Sequence, residues 1–233
     1  VMSSAAEAPE LTEVVRRHWL YGRWALASSV ATWANLAVLY FALTSFHGLA
    51  VTGELKALMN LSSPIGQGLA ALSLLSLPYA SRVSHQESPA AMKRLATRLT
   101  LLYIGGTAAY FVVVLLVRHP LVRLMYGGNY LDVTALLPLI ALSAVLRLGA
   151  SAQAIPLRAI QSPSLVFYAY GASAAVAVLA GIPASWAYGL QGAAAASVLS
   201  SAAALGLAYW LLRRSLNRMT PQVLAPQAMG RTA

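Results

Sequence analysis

The chain has 233 residues, 59% of them hydrophobic and 9% charged, with a mean hydropathy of +0.67. A soluble domain carries about 25% charged residues, and the apolar residues here come in runs of about 20, the length that crosses the hydrocarbon core of a bilayer, so a soluble globular fold is excluded and an all-α integral membrane protein is expected. The net charge of +10 lies mostly in short segments between apolar runs, a membrane-orientation pattern that leaves no basic domain for nucleic acid; the absence of cysteine removes disulfides and thiolate metal sites.

Residues 1–23 read as a cytoplasmic N-terminal segment. Residues 1–8 are expected to be disordered, and acidic residues with no directly following apolar region exclude a signal peptide. From Pro9 a short helix is expected, with Glu10 and Glu13 near its positive end. Leu11, Val14, Val15 and His18 share one face of it, as in an interfacial helix. Arg16, Arg17 and Arg23 with Trp19, Tyr21 and Trp24 mark a membrane interface.

Residues 24–212 read as a transmembrane domain of six helices. The first span, 24–46, contains Thr32, Trp33 and Asn35. A turn at residues 47–53 leads to the second, 57–79, where Pro64, Gly66 and Gly68 beside Gln67 predict a kink or local irregularity. The connection 80–98 is basic, and Ser88-Pro89 is a helix start, Ser at the cap and Pro at the first position. The third span, 99–117, precedes a Gly127-Gly128 turn flanked by Tyr126 and Tyr130.

The fourth span, 131–158, carries Arg147 near its middle. A charge at bilayer depth costs a few kcal/mol or more, so it usually faces a cavity or a partner. Ser143, Arg147, Ser151 and Arg158 recur at helical spacing and form a polar stripe. The fifth and sixth spans, 164–185 and 189–212, are separated only by a tight turn and form an antiparallel hairpin. In the sixth, Gly192, Ala196, Ser200, Ala204 and Ala208 fall every fourth position, a surface for close helix approach. Arg213, Arg214 and Arg218 end it, and residues 213–233 read as a cytoplasmic tail.

Six spans place both termini on one side. With that side inside, Arg16, Arg17, Arg23, Arg82, Lys93, Arg94, Arg98, Arg158, Arg213, Arg214, Arg218 and Arg231 lie inside, and Lys56, Arg118 and Arg123 outside. Twelve against three favours N-in, C-in.

The acidic residues are Glu7, Glu10, Glu13, Glu54, Glu87 and Asp132, none central to an expected span. The carboxylates of a cation-coupling site, or the paired acids of a membrane hydrolase, are therefore missing from the spans. His18, His47, His85 and His119 lie near span ends without metal-ligand spacing, and no phosphate-binding loop or zinc-protease motif occurs. No enzyme, cofactor or metal site is expected. The polar residues at depth are Asn35, Gln67, Arg147 and Gln153. For Asn35 and Gln67 the plainer reading is interhelical hydrogen bonding, worth about 0.6–2 kcal/mol each. Gln153 is expected toward the membrane edge. For Arg147 the plainer reading is contacts within the bundle or snorkelling, but no span carboxylate can pair with it. A water-filled cavity with an anionic ligand is the alternative.

Residues 20–214 resemble the second half of a polysaccharide-exporter flippase of the multidrug/oligosaccharidyl-lipid/polysaccharide exporter superfamily. The resemblance rests on the run from Tyr21 to the LPYASR end at Arg82, on LVRLMYGGNYLDVTALLPLIALSAVLRL with its aromatic-Gly-aromatic turn, and on GLQGAAAASVLSSAAAL in the closing hairpin. It implies one six-helix lobe of a two-lobe, alternating-access transporter. Such a protein moves a polyprenyl-pyrophosphate-linked oligosaccharide across the bacterial inner membrane. On that reading Arg147 meets the pyrophosphate, and Asn35, Gln67 and Ser151 complete the candidate substrate-binding set. The partners are the lipid bilayer, the lipid-linked oligosaccharide, and either a missing N-terminal lobe or a second copy. The Val start and the entry at a connector carry the expectation of a fragment or half-transporter. A multidrug exporter of the same superfamily and a non-transporting scaffold for polysaccharide synthesis are the alternatives.

Overall fold

The computed structural model describes residues 11–86 and 88–229. The expectations for residues 1–10, Glu87 and residues 230–233 lie outside the described residues, as do those for the side chains of Leu11, Glu13, Val14, Arg17 and His85. All described elements are helical: α1 (Leu11–Asn60), α2 (Ser63–Gln86), α3 (Pro89–Leu116), α4 (Arg118–Tyr126), α5 (Leu137–Ala159), α6 (Pro163–Val176) and α7 (Ile182–Met229). A 3₁₀ turn (Asp132–Leu136) leads into α5, and a π turn (Ala177–Gly181) joins α6 to α7.

Four stretches are long and apolar enough to cross a membrane: His18–Asn60, Pro89–Leu116, Asp132–Ala159 and Pro163–Arg218. The first and last, of 43 and 56 residues, would extend about 65 and 84 Å as straight helices, far beyond a core of about 30 Å. Neither is straight. Gly48 (φ 85°, ψ 178°) breaks α1 and Gly189 (φ 54°, ψ −129°) breaks α7, both in backbone regions that L side chains rarely adopt. Thr44 and Thr52 are hydrogen-bonded at 2.9 Å, and the Tyr40 hydroxyl meets Met59 Sδ at 3.6 Å. A straight helix would hold the second pair about 28 Å apart, so α1 doubles back at Gly48. In the same way a Cβ on Gly181 would lie 3.6 Å from that of Ala196 across the Gly189 break.

Several boundaries differ from the sequence expectation. The short helix expected near the N-terminus is not separate, because nothing between Leu11 and Gly48 breaks α1, and Gly22 alone is tolerated inside it. Residues 213–229, within the expected tail, are helical and continue α7. The expected span 57–79 crosses the α1–α2 break at Leu61–Ser62, and α2 is not one of the four apolar stretches. Pro64 explains the break: it has no N–H to bond the carbonyl of Asn60 and clashes with it, yet fits the first turn of a new helix. The Tyr110 hydroxyl donates to the Leu61 carbonyl freed there, at 2.7 Å. The π turn has a similar origin, since Pro183 follows it and a widened turn accommodates the proline ring.

α5 is the centre of the bundle. Half of its apolar window is buried, against about a third or less for the other three stretches. Its residues enter both core clusters: Leu148, Ile155 and Leu157 pack with Leu69, Met92, Tyr103 and Leu212, whereas Ile140 and Ala144 pack with Leu39, Leu58, Phe111 and Ala193. The row Gly192, Ala196, Ser200, Ala204 and Ala208 is buried throughout, as close helix approach requires. A Cβ on Gly192 would collide with the Ala184 carbonyl. Leu74, Leu101, Leu116, Leu124 and Trp186 stand exposed on the periphery, an apolar surface suited to lipid.

Contacts between distant segments sort the connections into two ends. At one end, His47 Nε2 donates to the Ser185 carbonyl at 2.8 Å, Tyr126 donates to the Ala57 carbonyl at 3.1 Å, and Tyr130 lies over Gly53. At the other, Lys93 donates to Asn217 Oδ1 at 2.7 Å, and Trp24 packs on Phe167 and Tyr168.

Candidate functional site

Between the two cores lies a cavity of about 390 Å³. It is bounded by the first arm of α1, the α1–α2 break, the start of α2, the middle of α5, and Ser197 and Ser201 of α7. Arg147, Asn35 and Gln67, separated by up to 112 positions in sequence, all line it, as does Ser143. Each arrives by helical periodicity. Thr32, Asn35, Leu36, Leu39 and Tyr40 form one face of α1; Ser63, Gly66, Gln67 and Ala70 form one face of α2; Ser143 and Arg147 are one turn apart on α5.

Arg147 is accessible and lines this cavity. Its Nη2 donates to Ser62 Oγ over 3.5 Å, a long contact. The Ser62 hydroxyl proton is committed to the Met59 carbonyl at 2.6 Å, so its oxygen is free to accept. The phenols of Tyr40 and Tyr170 lie within electrostatic range of the guanidinium. Among the described residues no carboxylate neutralises Arg147: the two acidic side chains described, Glu54 and Asp132, line a different pocket with His47 and Gly189. A guanidinium has five donors, and one long bond to a hydroxyl leaves most of that capacity, and the whole charge, directed at the cavity.

The other polar groups divide. Asn35 Nδ2 donates to the Ser173 carbonyl at 3.0 Å and to Ser173 Oγ at 2.8 Å. The carbonyl partner fixes which end of the amide is nitrogen. Asn35 therefore joins α1 to α6 and keeps its oxygen as the group it can offer the cavity. Gln67 is exposed and makes no hydrogen bond among the described residues, so the interhelical role considered for it is not observed. Ser151 does not line the cavity; its hydroxyl donates back to the Arg147 carbonyl at 3.2 Å. Arg158 lies exposed in the last turn of α5, about 16 Å of helix beyond Arg147. The expected stripe thus shrinks to Ser143 and Arg147. Gln153, expected near the membrane edge, is 3% exposed and donates to Thr100 Oγ1 at 2.9 Å between α5 and α3.

The sequence reading missed Tyr40, Asn60, Ser62, Ser63, Ser197 and Ser201 as lining residues. Tyr40 continues the Thr32–Asn35 periodicity, and Ser197 and Ser201 are one turn apart, so helical spacing could have found these three. Asn60, Ser62 and Ser63 reach the cavity only because the helix breaks there. The lining is one cation among amides, hydroxyls and aliphatic groups. It can bind an anion with hydroxyl-rich or amide-rich surroundings. It presents no carboxylate, imidazole or thiol for acid–base or nucleophilic chemistry. Comparison of the chain with protein-family models, with curated proteins and with solved structures finds no match.

Proposed function

We propose that this chain is one lobe of a flippase that moves a polyprenyl-pyrophosphate-linked oligosaccharide across the bacterial inner membrane for surface polysaccharide export. The observation that carries the reading is Arg147. It is a charge on the central helix, without a carboxylate partner among the described residues, in a cavity that also holds Gln67 and the Asn35 amide. A guanidinium left this way is suited to phosphate oxygens, which its fork matches in geometry. Amides and hydroxyls around it suit sugar hydroxyls.

In this proposal α1 and the α6–α7 pair each form a membrane hairpin, closing at Gly48 and Gly189, and α2 crosses with the second arm of α1. The chain then crosses six times, N-in and C-in, consistent with the excess of Lys and Arg on one side. Transport needs a second lobe, supplied by a preceding segment or by another copy, so that the cavity opens alternately to the two faces.

The experiment is export of surface polysaccharide in cells whose flippase carries Arg147→Ala, Arg147→Lys or Gln67→Ala. Loss of export with Arg147→Ala at normal protein level supports the reading; full export removes Arg147 from it. Loss with Arg147→Lys as well assigns the role to fork geometry, and retention assigns it to charge alone.

A further inference from the structure

A second polar site lies away from the cavity, on α7 where its apolar run gives way to Arg213 and Arg214. Arg213 stacks over Tyr209, its Cζ 4.5 Å from the ring centroid, and Arg214 stacks over Trp210 at 5.0 Å. Each pair is one helical turn apart. Stacking holds a guanidinium plane against a ring face while leaving its N–H edge free to donate. Arg218 lies one turn beyond Arg214, and Lys93, from the start of α3, is tied to Asn217 by a 2.7 Å hydrogen bond. Trp210, Arg213, Arg214, Asn217 and Arg218 line an open groove of about 690 Å³. Four cations from two helices thus converge just beyond Leu212, where the apolar run of α7 stops. The described acidic side chains, Glu54 and Asp132, line a pocket at the opposite end.

The position selects the ligand. Tyr209 and Trp210 are exposed aromatic residues in the last turn of the apolar run of α7, the depth at which rings settle against headgroups. A phosphate diester at that depth has its acyl chains beside the apolar side of α7 and its oxygens level with the arginine edges. Basic pockets at such a level bind anionic headgroups. We infer that this groove is a binding site for an anionic phospholipid, with Arg213, Arg214 and Arg218 gripping the headgroup phosphate and Lys93 closing the site from α3. The inference rests on the membrane location of α7 and not on what the cavity transports.

The test is lipid retention by the purified full chain, delipidated and then titrated with phosphatidylglycerol or phosphatidylcholine and read by native mass spectrometry. The expected result is preferential retention of phosphatidylglycerol, falling at least fivefold in Arg213→Gln/Arg214→Gln/Arg218→Gln. The triple Lys variant keeps the charge but loses the fork and the stacking; it is expected to fall at least threefold. Removing three charges elsewhere (Arg82→Gln/Arg118→Gln/Arg123→Gln) is expected to leave retention unchanged. Three results overturn the site. Equal loss in the control variant reduces it to general surface charge. Wild-type retention in the triple Lys variant removes the guanidinium geometry. Displacement of the lipid by equimolar inorganic phosphate makes the ligand a soluble anion.

Discussion

At the scale of single residues, the two amides that the sequence presents as equivalent have different roles. Asn35 bonds Ser173 across the α1–α6 interface, whereas Gln67 bonds nothing described and faces the cavity. Asn35→Ala is expected to destabilise the purified protein by about 0.6–2 kcal/mol, the range for interhelical bonds in membranes, seen as a lower thermal midpoint. Gln67→Ala is expected to leave that midpoint unchanged and to weaken ligand binding or export. The reverse pattern contradicts the assignment. Arg147 was legible in the sequence as a charge inside an apolar run, and the lack of a carboxylate partner followed from where the acids lie. Ser62 as its partner was not legible: it depends on a helix break that presents the hydroxyl across 85 positions. Ser151 shows the limit of spacing alone, since one turn of helix is enough to leave the cavity wall.

At the scale of elements, the punctuation was readable where a local rule governs it. Ser88 caps α3, its hydroxyl accepting from the Ala91 N–H at 3.4 Å, with Pro89 in the first turn. Gly127 and Gly128 take positive φ between tyrosines stacked edge to face at 5.4 Å. The π turn and the extents of α1 and α7 were not readable, because they depend on how the helix accommodates Pro183 and on the absence of a strong breaker, not on a positive signal. The glycines give a sharp test. A Cβ at Gly192 meets the Ala184 backbone, and Gly189 needs a backbone region closed to alanine, whereas Gly105 and Gly106 have open space beside them. Gly192→Ala and Gly189→Ala are expected to abolish monodisperse, detergent-extractable protein. Gly105→Ala is expected to be neutral or to stabilise by about 0.4–1 kcal/mol. Size-exclusion chromatography of the tagged variants reads the difference, and a well-behaved Gly192→Ala protein contradicts the hairpin packing.

At the scale of the whole molecule, the helical, apolar character followed from composition, whereas the three-dimensional grouping of Asn35, Gln67 and Arg147 required the bundle. The absence of cysteine makes the proposed topology directly testable, since every introduced cysteine is unique. With a membrane-impermeant maleimide on intact cells, Asn129→Cys and Gln191→Cys are expected to label, and Gln86→Cys and Asn217→Cys only after permeabilisation. Labelling of all four on intact cells, or of Asn129→Cys and Asn217→Cys alone, contradicts an N-in, C-in arrangement of six crossings. The central claim, that the cavity recognises a pyrophosphate through Arg147, is tested most directly by binding. Purified full-length chain in nanodiscs is titrated with a short-chain polyprenyl pyrophosphate and with the matching polyprenol, wild type beside Arg147→Ala. The account predicts that wild type prefers the pyrophosphate and that Arg147→Ala loses at least tenfold in affinity for it, about 1.4 kcal/mol, with the polyprenol unaffected. Equal affinity of wild type and Arg147→Ala for the pyrophosphate would contradict it.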